Sequence, residues 1–289
     1  MFIRRPVAHS CLALVSLVWA LVALLGLATG ALADPLTPES QSGSPNAEDI
    51  DNLYKLILAL ALVIFIGVEG ALIYALVRFR ARKGRVASQI HGNVRLEIAW
   101  TVVPVLILVL ITTVTFVSLD DIRSPAATGR GGLELASGTV GAIRDQPAPP
   151  GGKALKIIVD GQQYVWRYQY PGPREVFAYT EMVVPEDTTL VLEIRSIDVA
   201  HSWWIPALGG KFDAIPGYVN KTWFKARPGR YRGQCAEFCG RNHADMLAWV
   251  RVVPVAEYEA WYARKAREIE VAQQEAAKGR AELERGSGG

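Results

Sequence analysis

The sequence predicts a two-helix transmembrane hairpin followed by an all-β domain and a C-terminal helix. Three observations carry that expectation. Two apolar runs, at 53–77 and 98–119, each exceed the roughly 20 residues that a helix needs to cross the hydrocarbon core. Between 154 and 254 the apolar residues recur with period two in short segments separated by Gly and Pro turns, which is the pattern of strands. From 257 to 284 Ala, Glu, Lys and Arg dominate, as in a solvated helix.

In chain order, residues 1–33 have the form of a secretory signal. Arg4 and Arg5 form a basic start, 12–27 an apolar core, and Ala31-Leu32-Ala33 a small-x-small cleavage site before Asp34. Cys11 and His9 fall inside this segment. The hairpin occupies 34–120. Arg78, Arg80, Arg82, Lys83 and Arg85 lie between its two apolar runs, whereas Glu39, Glu48, Asp49 and Asp51 precede the first. A basic connecting loop belongs in the cytoplasm, so everything after residue 119 is expected outside. Glu69 sits deep in the first run and reads as a helix-packing residue. Glu97 opens the second run, where a carboxylate suits a helix N-terminus.

Residues 121–153 are rich in Gly, Ala, Pro, Ser and Thr, which predicts a mobile linker. Strands are then expected at 156–159, 163–170, 176–184, 189–196, 222–225, 230–233 and 248–253, making a sandwich or barrel over 154–254. In the tail, 255–289, Tyr258, Trp261 and Tyr262 are placed to pin the start of a helix.

The chemistry concentrates in one stretch, Cys235-Ala236-Glu237-Phe238-Cys239-Gly240-Arg241-Asn242-His243-Ala244-Asp245-Met246. The chain has three cysteines, three methionines and four histidines, and this stretch with His201 takes both cysteines and both histidines of the C-terminal half. Sulfur and imidazole donors suit copper or zinc rather than magnesium or calcium. From the residues alone four readings stand. A disulfide is the usual fate of two nearby exported cysteines. Structural zinc normally pairs its histidines, which are apart here, and Met246 is a poor zinc ligand. A mononuclear blue-copper site would use His201, one Cys, His243 and Met246 and leave a thiol idle. Two copper ions bridged by both thiolates would use every member.

The spacing Cys-x-Glu-x-Cys-x3-His-x2-Met, with Asp198-Val199-Ala200-His201-Ser202-Trp203 ahead of it, resembles subunit II of the haem-copper cytochrome c oxidases. The resemblance extends over 52–254. It includes Glu97-Ile98-Ala99-Trp100-Thr101-Val102-Val103-Pro104, Asp213-Ala214-Ile215-Pro216-Gly217, Arg227-Pro228-Gly229 and Gly233-Gln234-Cys235. It implies a cupredoxin-like Greek-key barrel holding a dinuclear copper A centre. His201 and His243 would be its imidazole ligands, Cys235 and Cys239 its bridging thiolates, Met246 a thioether ligand and Glu237 a carbonyl ligand. It also implies that the Glu237 side chain reaches a magnesium ion at the interface with subunit I, and that Glu97 stands at the mouth of a proton pathway, which displaces the capping reading. In the family a surface tryptophan takes electrons from cytochrome c; here Tyr164 aligns with it and Trp166 follows two residues on. Asp198 and Asp213 are the carboxylates available for cytochrome docking. The implied partners are oxidase subunits I and III, cytochrome c and the lipid membrane, with the haems in the partner subunit.

Composition and pattern bear on the alternatives. A net charge of +3 and the lack of a basic stripe interleaved with aromatics exclude a nucleic-acid partner. Residues 154–254 hold twelve Lys and Arg against ten Asp and Glu, so the outer domain is not acidic overall. A membrane-tethered copper carrier would share the ligands but needs neither Glu97 nor Glu237. Quinol oxidase subunits share the hairpin but lack such ligands. No Cys-x-x-Cys-His appears, so no c-type haem is attached to this chain.

Overall fold

A computed structural model describes residues 43–81, 84, 86, 89, 91–135, 140–142 and 146–286. The predicted signal segment, with His9 and Cys11, lies outside the described residues, as do Arg82, Lys83 and Arg85.

Among the described residues two long helices come first, α1 (Pro45–Arg78) and α2 (Val94–Arg123). Both are apolar enough to cross a membrane, and none of the residues in the most apolar window of either is buried. Outward Phe65, Leu76 and Phe116 would be untenable in water, and lipid is the solvent that suits them. Each helix outruns its apolar core. Pro45, favoured at a first helical position, starts α1 eight residues before its apolar run. That extra length is held by burial of Asn46 and Ala47. Asn93 caps α2 by accepting the amides of Arg95 and Leu96. The cap is therefore Asn93 and not Glu97, which lies within the first turn.

The β-domain has ten strands: β1 (Leu155–Gln162), β2 (Val165–Tyr170), β3 (Val176–Tyr179), β4 (Glu181–Pro185), β5 (Leu190–Ser196), β6 (His201–Trp204), β7 (Phe212–Ala214), β8 (Asn220–Phe224), β9 (Gly229–Cys235) and β10 (Leu247–Val253). They form two five-stranded sheets in the orders β3-β2-β1-β5-β8 and β4-β10-β9-β6-β7. Alternation places Ile157, Val159, Trp166, Tyr168, Leu192 and Ile194 of the first sheet against Val184, Trp203, Val250 and Val252 of the second. The buried phenols keep partners: Tyr168 accepts from Trp203 Nε1 at 3.3 Å, and Tyr170 accepts from Val183 N at 2.8 Å.

Three expectations change. The single strand predicted at 176–184 is two, because Thr180, at φ 65°, turns the chain from one sheet into the other. β6 and β7 were not predicted; they are short, and the residues around them lack a clear alternation. The predicted mobile linker is a packed strap wherever it is described. Gly129 donates to Asp187 O at 2.8 Å, Leu133 N to Thr188 Oγ1 at 2.8 Å, and Thr189 Oγ1 to Ala126 O at 2.6 Å. Its few large residues, Leu133 and Leu135, lie on the core, and Val140 is buried with Trp223. Small residues made the segment look unstructured, but here they permit close approach: a Cβ on Gly129 would sit 1.9 Å from Asp187 Oδ2.

The tail is a helix, α3 (Val255–Gly286). Its first half is pinned as expected, with Tyr258 and Trp261 buried and Tyr262 donating to Pro171 O at 2.9 Å. The hairpin is bonded to the barrel from both helices. Asn46 Nδ2 donates to Leu208 O and Trp223 O at 3.2 and 2.9 Å, and Trp223 Nε1 donates to Ile122 O at 3.0 Å.

Candidate metal centre

Two strand ends and one loop make the site. Antiparallel pairing of β6 with β9 sets Trp203 opposite Cys235, which brings His201, at the start of β6, to the end of β9. The loop that follows is closed at its base by Cys235 N donating to Met246 O at 2.9 Å, and Ala236 N donates to Ser202 O at 2.9 Å. Gly240, at φ +125°, makes the turn, in a region of backbone conformation that favours glycine. A short 3-10 turn, His243–Asp245, returns the chain to β10.

This path brings the six predicted donors together. Cys235 Sγ lies 3.9 Å from His201 Nδ1, and Cys239 Sγ lies 3.4 Å from His243 Nδ1. The two sulfurs are 4.0 Å apart, so the thiols are free and the disulfide reading falls. Met246 Sδ is 3.9 Å from Cys239 Sγ, and the Glu237 carbonyl oxygen is 3.3 Å from Cys235 Sγ. His201, Cys235, Cys239 and Met246 are buried; His243 is partly exposed beside Phe238, whose ring is 77% exposed. Buried thiols, imidazoles and a thioether converging in this way are a donor set that fits a soft metal such as copper.

The titratable groups of the site shift one another. Burial would raise the Cys235 thiol, but hydrogen bonds from His201 and from the backbone at Ser202 and Glu237 outweigh it and bring it down to about 7. Burial and the neighbouring Cys235 charge push Cys239 up to about 11. Burial opposes protonation of His201, yet its bonds to Cys235 and Asp198 raise it overall. Asp198 is lowered in spite of burial, by the amide of Gln163 and by His201.

Asp198 proves to be a holder of the site. Its Oδ1 meets His201 Nε2 at 2.8 Å, which leaves Nδ1 to face the sulfur. The same carboxylate accepts from Gln163 N at 2.6 Å and from Val199 N at 2.7 Å. These bonds give Asp198 a holding task within the protein beside the docking role expected of it, and the residue is exposed. Asp213 is exposed on β7, opposite Ser202. The Asp-x-x-His spacing was the signal for the Asp198 role.

The two aromatic candidates for electron input separate. β2 begins only at Val165, so Tyr164 belongs to the turn before it, partly exposed, its hydroxyl accepting from Arg241 N at 3.0 Å. Trp166 is fully buried, with its ring edge-on to His201 at 5.8 Å. It offers no surface to a donor, which corrects its assignment to electron input. Gln163, which the sequence did not mark, donates from Nε2 to Cys239 O at 2.7 Å. Glu237 is exposed, and Glu97 lies far along the chain at the opposite end of α2 from the barrel contacts at Ile122.

Comparison with known proteins agrees with both halves of this architecture. The family description "Cytochrome C oxidase subunit II, transmembrane domain" matches residues 39–118, and "Cytochrome C oxidase subunit II, periplasmic domain" matches 172–253. Cytochrome c oxidase subunit 2 of Alkalihalophilus pseudofirmus is 32% identical over 247 residues, covering 84% of this chain and 66% of that protein. This chain thus spans just under two thirds of that relative's length. The Cereibacter sphaeroides subunit 2 is 32% identical over 258 residues, covering 76% of this chain and 77% of the relative. A crystal structure of the periplasmic domain of subunit II from Bradyrhizobium japonicum is 35% identical, covers 40% of this chain and 96% of its own, and has a TM-score of 0.39. With its two membrane helices and its copper-type, cupredoxin-like β-domain each matched in turn, the chain belongs to the cytochrome c oxidase subunit II family.

Proposed function

We propose that this chain accepts electrons from cytochrome c at a dinuclear copper A centre and passes them to haem in subunit I, where oxygen is reduced to water with proton pumping. One observation carries the copper reading. Two thiol–imidazole pairs, Cys235 with His201 and Cys239 with His243, lie sulfur to sulfur at 4.0 Å. A mononuclear site would leave one pair without a task. Copper supplies the one-electron redox chemistry when bound.

The chain's own residues do the rest. Cys235, Cys239, His201, His243, Met246 and the Glu237 carbonyl would together fill the coordination of two copper ions, which suits relay and not catalysis. Burial of His201, Cys235 and Met246 keeps water out, so little solvent must reorganise during transfer. Asp198 holds the His201 ring in one orientation. Tyr164 is the point of electron input from the donor, with Trp166 behind it against His201. Asp213 contributes to cytochrome docking. Glu237, exposed beside the centre, reaches a magnesium ion at the boundary with subunit I, and Glu97 receives protons on the cytoplasmic side. Subunits I and III are the membrane partners, and the β-domain faces the periplasm.

The full chain, solubilised in detergent and loaded with copper, tests the centre. Two coppers per chain and an EPR spectrum of one electron shared by two copper nuclei are expected. One copper with a mononuclear spectrum, or zinc alone, would sink the dinuclear reading.

A further inference from the structure

The site draws its ligands from two separate stretches, the residues leading into β6 and the loop between β9 and β10. The turn between β1 and β2 touches both. From its backbone, Gln163 N donates to Asp198 Oδ2 at 2.6 Å, and Asp198 in turn holds His201. From its side chain, Gln163 Nε2 donates to Cys239 O at 2.7 Å. Next to it, Tyr164 accepts from Arg241 N at 3.0 Å. The turn also abuts the bend of the loop: a Cβ on Gly240 would sit 2.7 Å from the Tyr164 hydroxyl and 2.9 Å from Gln163 Nε2.

We propose that Gln163 and Tyr164 form a strut that fixes the His201 segment and the Cys239-to-His243 loop at one separation, and that they are positioning residues for the metal ligands. The inference rests on the ligand reading above. Its physical basis is hydrogen-bond inventory. The strut supplies an acceptor to the exposed loop amide of Arg241 and a donor to the part-buried carbonyl of Cys239, and so ties the loop at two points. It also gives the tyrosine a reason of its own. An indole is a donor only, so a tryptophan at position 164 could not accept the Arg241 amide, whereas a phenol hydroxyl can. A partner resting on Tyr164 then rests on a piece bonded directly to both ligand segments.

Hydrogen exchange on the full chain in detergent, without copper, tests the strut apart from any metal. Gln163→Leu removes the side-chain donor, and Tyr164→Phe and Tyr164→Trp remove the acceptor while keeping a ring. All three are expected to speed exchange over 236–246 about fivefold or more, the loss expected of one net hydrogen bond, and to leave β1 and β5 unchanged. On copper loading, Gln163→Leu is expected to alter the hyperfine pattern of the EPR spectrum, which a loss of general stability would not do. Wild-type exchange over 236–246 together with an unaltered spectrum would overturn the strut, and so would faster exchange spread evenly over both sheets. Failure of wild type to bind two coppers strikes the function reading instead, because the copper-free exchange result still decides the strut.

Discussion

Asp198 shows how a single side chain is reassigned by its surroundings. By type it is a surface carboxylate; in place it accepts from Gln163, Val199 and His201 and fixes which imidazole nitrogen faces the sulfur. Partners of this kind, one step behind a ligand, typically cost 10- to 100-fold in metal affinity when removed. Asp198→Asn is therefore expected to weaken copper binding by about that factor in a competition titration; unchanged affinity would return Asp198 to a surface role. The thiols make a second prediction. The coupled pair should lose its first proton near pH 7 and its second near pH 11 in the copper-free chain, read by thiolate ultraviolet absorbance. The signs are opposite. Cys235, lowered from 9.0, contributes stability that is present above pH 9 and lost as pH falls through about 7. Cys239, raised from 9.0, costs stability as pH rises from 9 towards 11. The two thiols together therefore stabilise the copper-free chain most near pH 9, measurable by thermal unfolding across that range.

Among the elements, α3 and the strap were read with different success for one reason. Three aromatics at the start of α3 announced an anchor, and Tyr258 and Trp261 are buried, with Trp261 edge-on to Tyr170 at 5.0 Å. Trp261→Ala is expected to cost about 3–5 kcal/mol in chemical unfolding and to fray α3 in hydrogen exchange; a loss under about 1 kcal/mol would show that the helix is held elsewhere. In the strap the anchors are backbone amides and threonine hydroxyls, such as Leu133 N on Thr188 Oγ1, and these leave no periodic trace. The split at Thr180 was equally silent, since apolar alternation at 176–184 is satisfied by one long strand or by two that change sheet.

In the molecule as a whole, the hairpin is the membrane anchor and the barrel carries the donor cluster. The outer ends of both helices bond to the barrel through Asn46 and Trp223, so the copper-type domain is seated on the hairpin by direct contacts. In the proposed topology the short connection, with its basic residues, faces the cytoplasm. A cysteine at the helical tail, Glu282→Cys, is then expected to react with a membrane-impermeant maleimide in intact spheroplasts, and Gly84→Cys only after lysis. The reverse pattern would invert the topology.

The membrane helices, the number of strands to within three, the pinned tail and the six converging donors were all legible in the sequence, because each is written in local terms. Length of an apolar run, period of alternation and ligand spacing are properties of neighbours in sequence. The residues that tertiary structure alone decided are those whose partners lie far away along the chain. Gln163 meets Cys239, Tyr164 meets Arg241 and Asn46 meets Trp223. Buried polar groups must find hydrogen-bond partners, but which partner they find depends on how the sheets pack, and that is not encoded in any one segment. Thus the spacing of Cys235, Cys239, His243 and Met246 announced a metal loop, while the packing of β1 and β2 against it determined what holds that loop still.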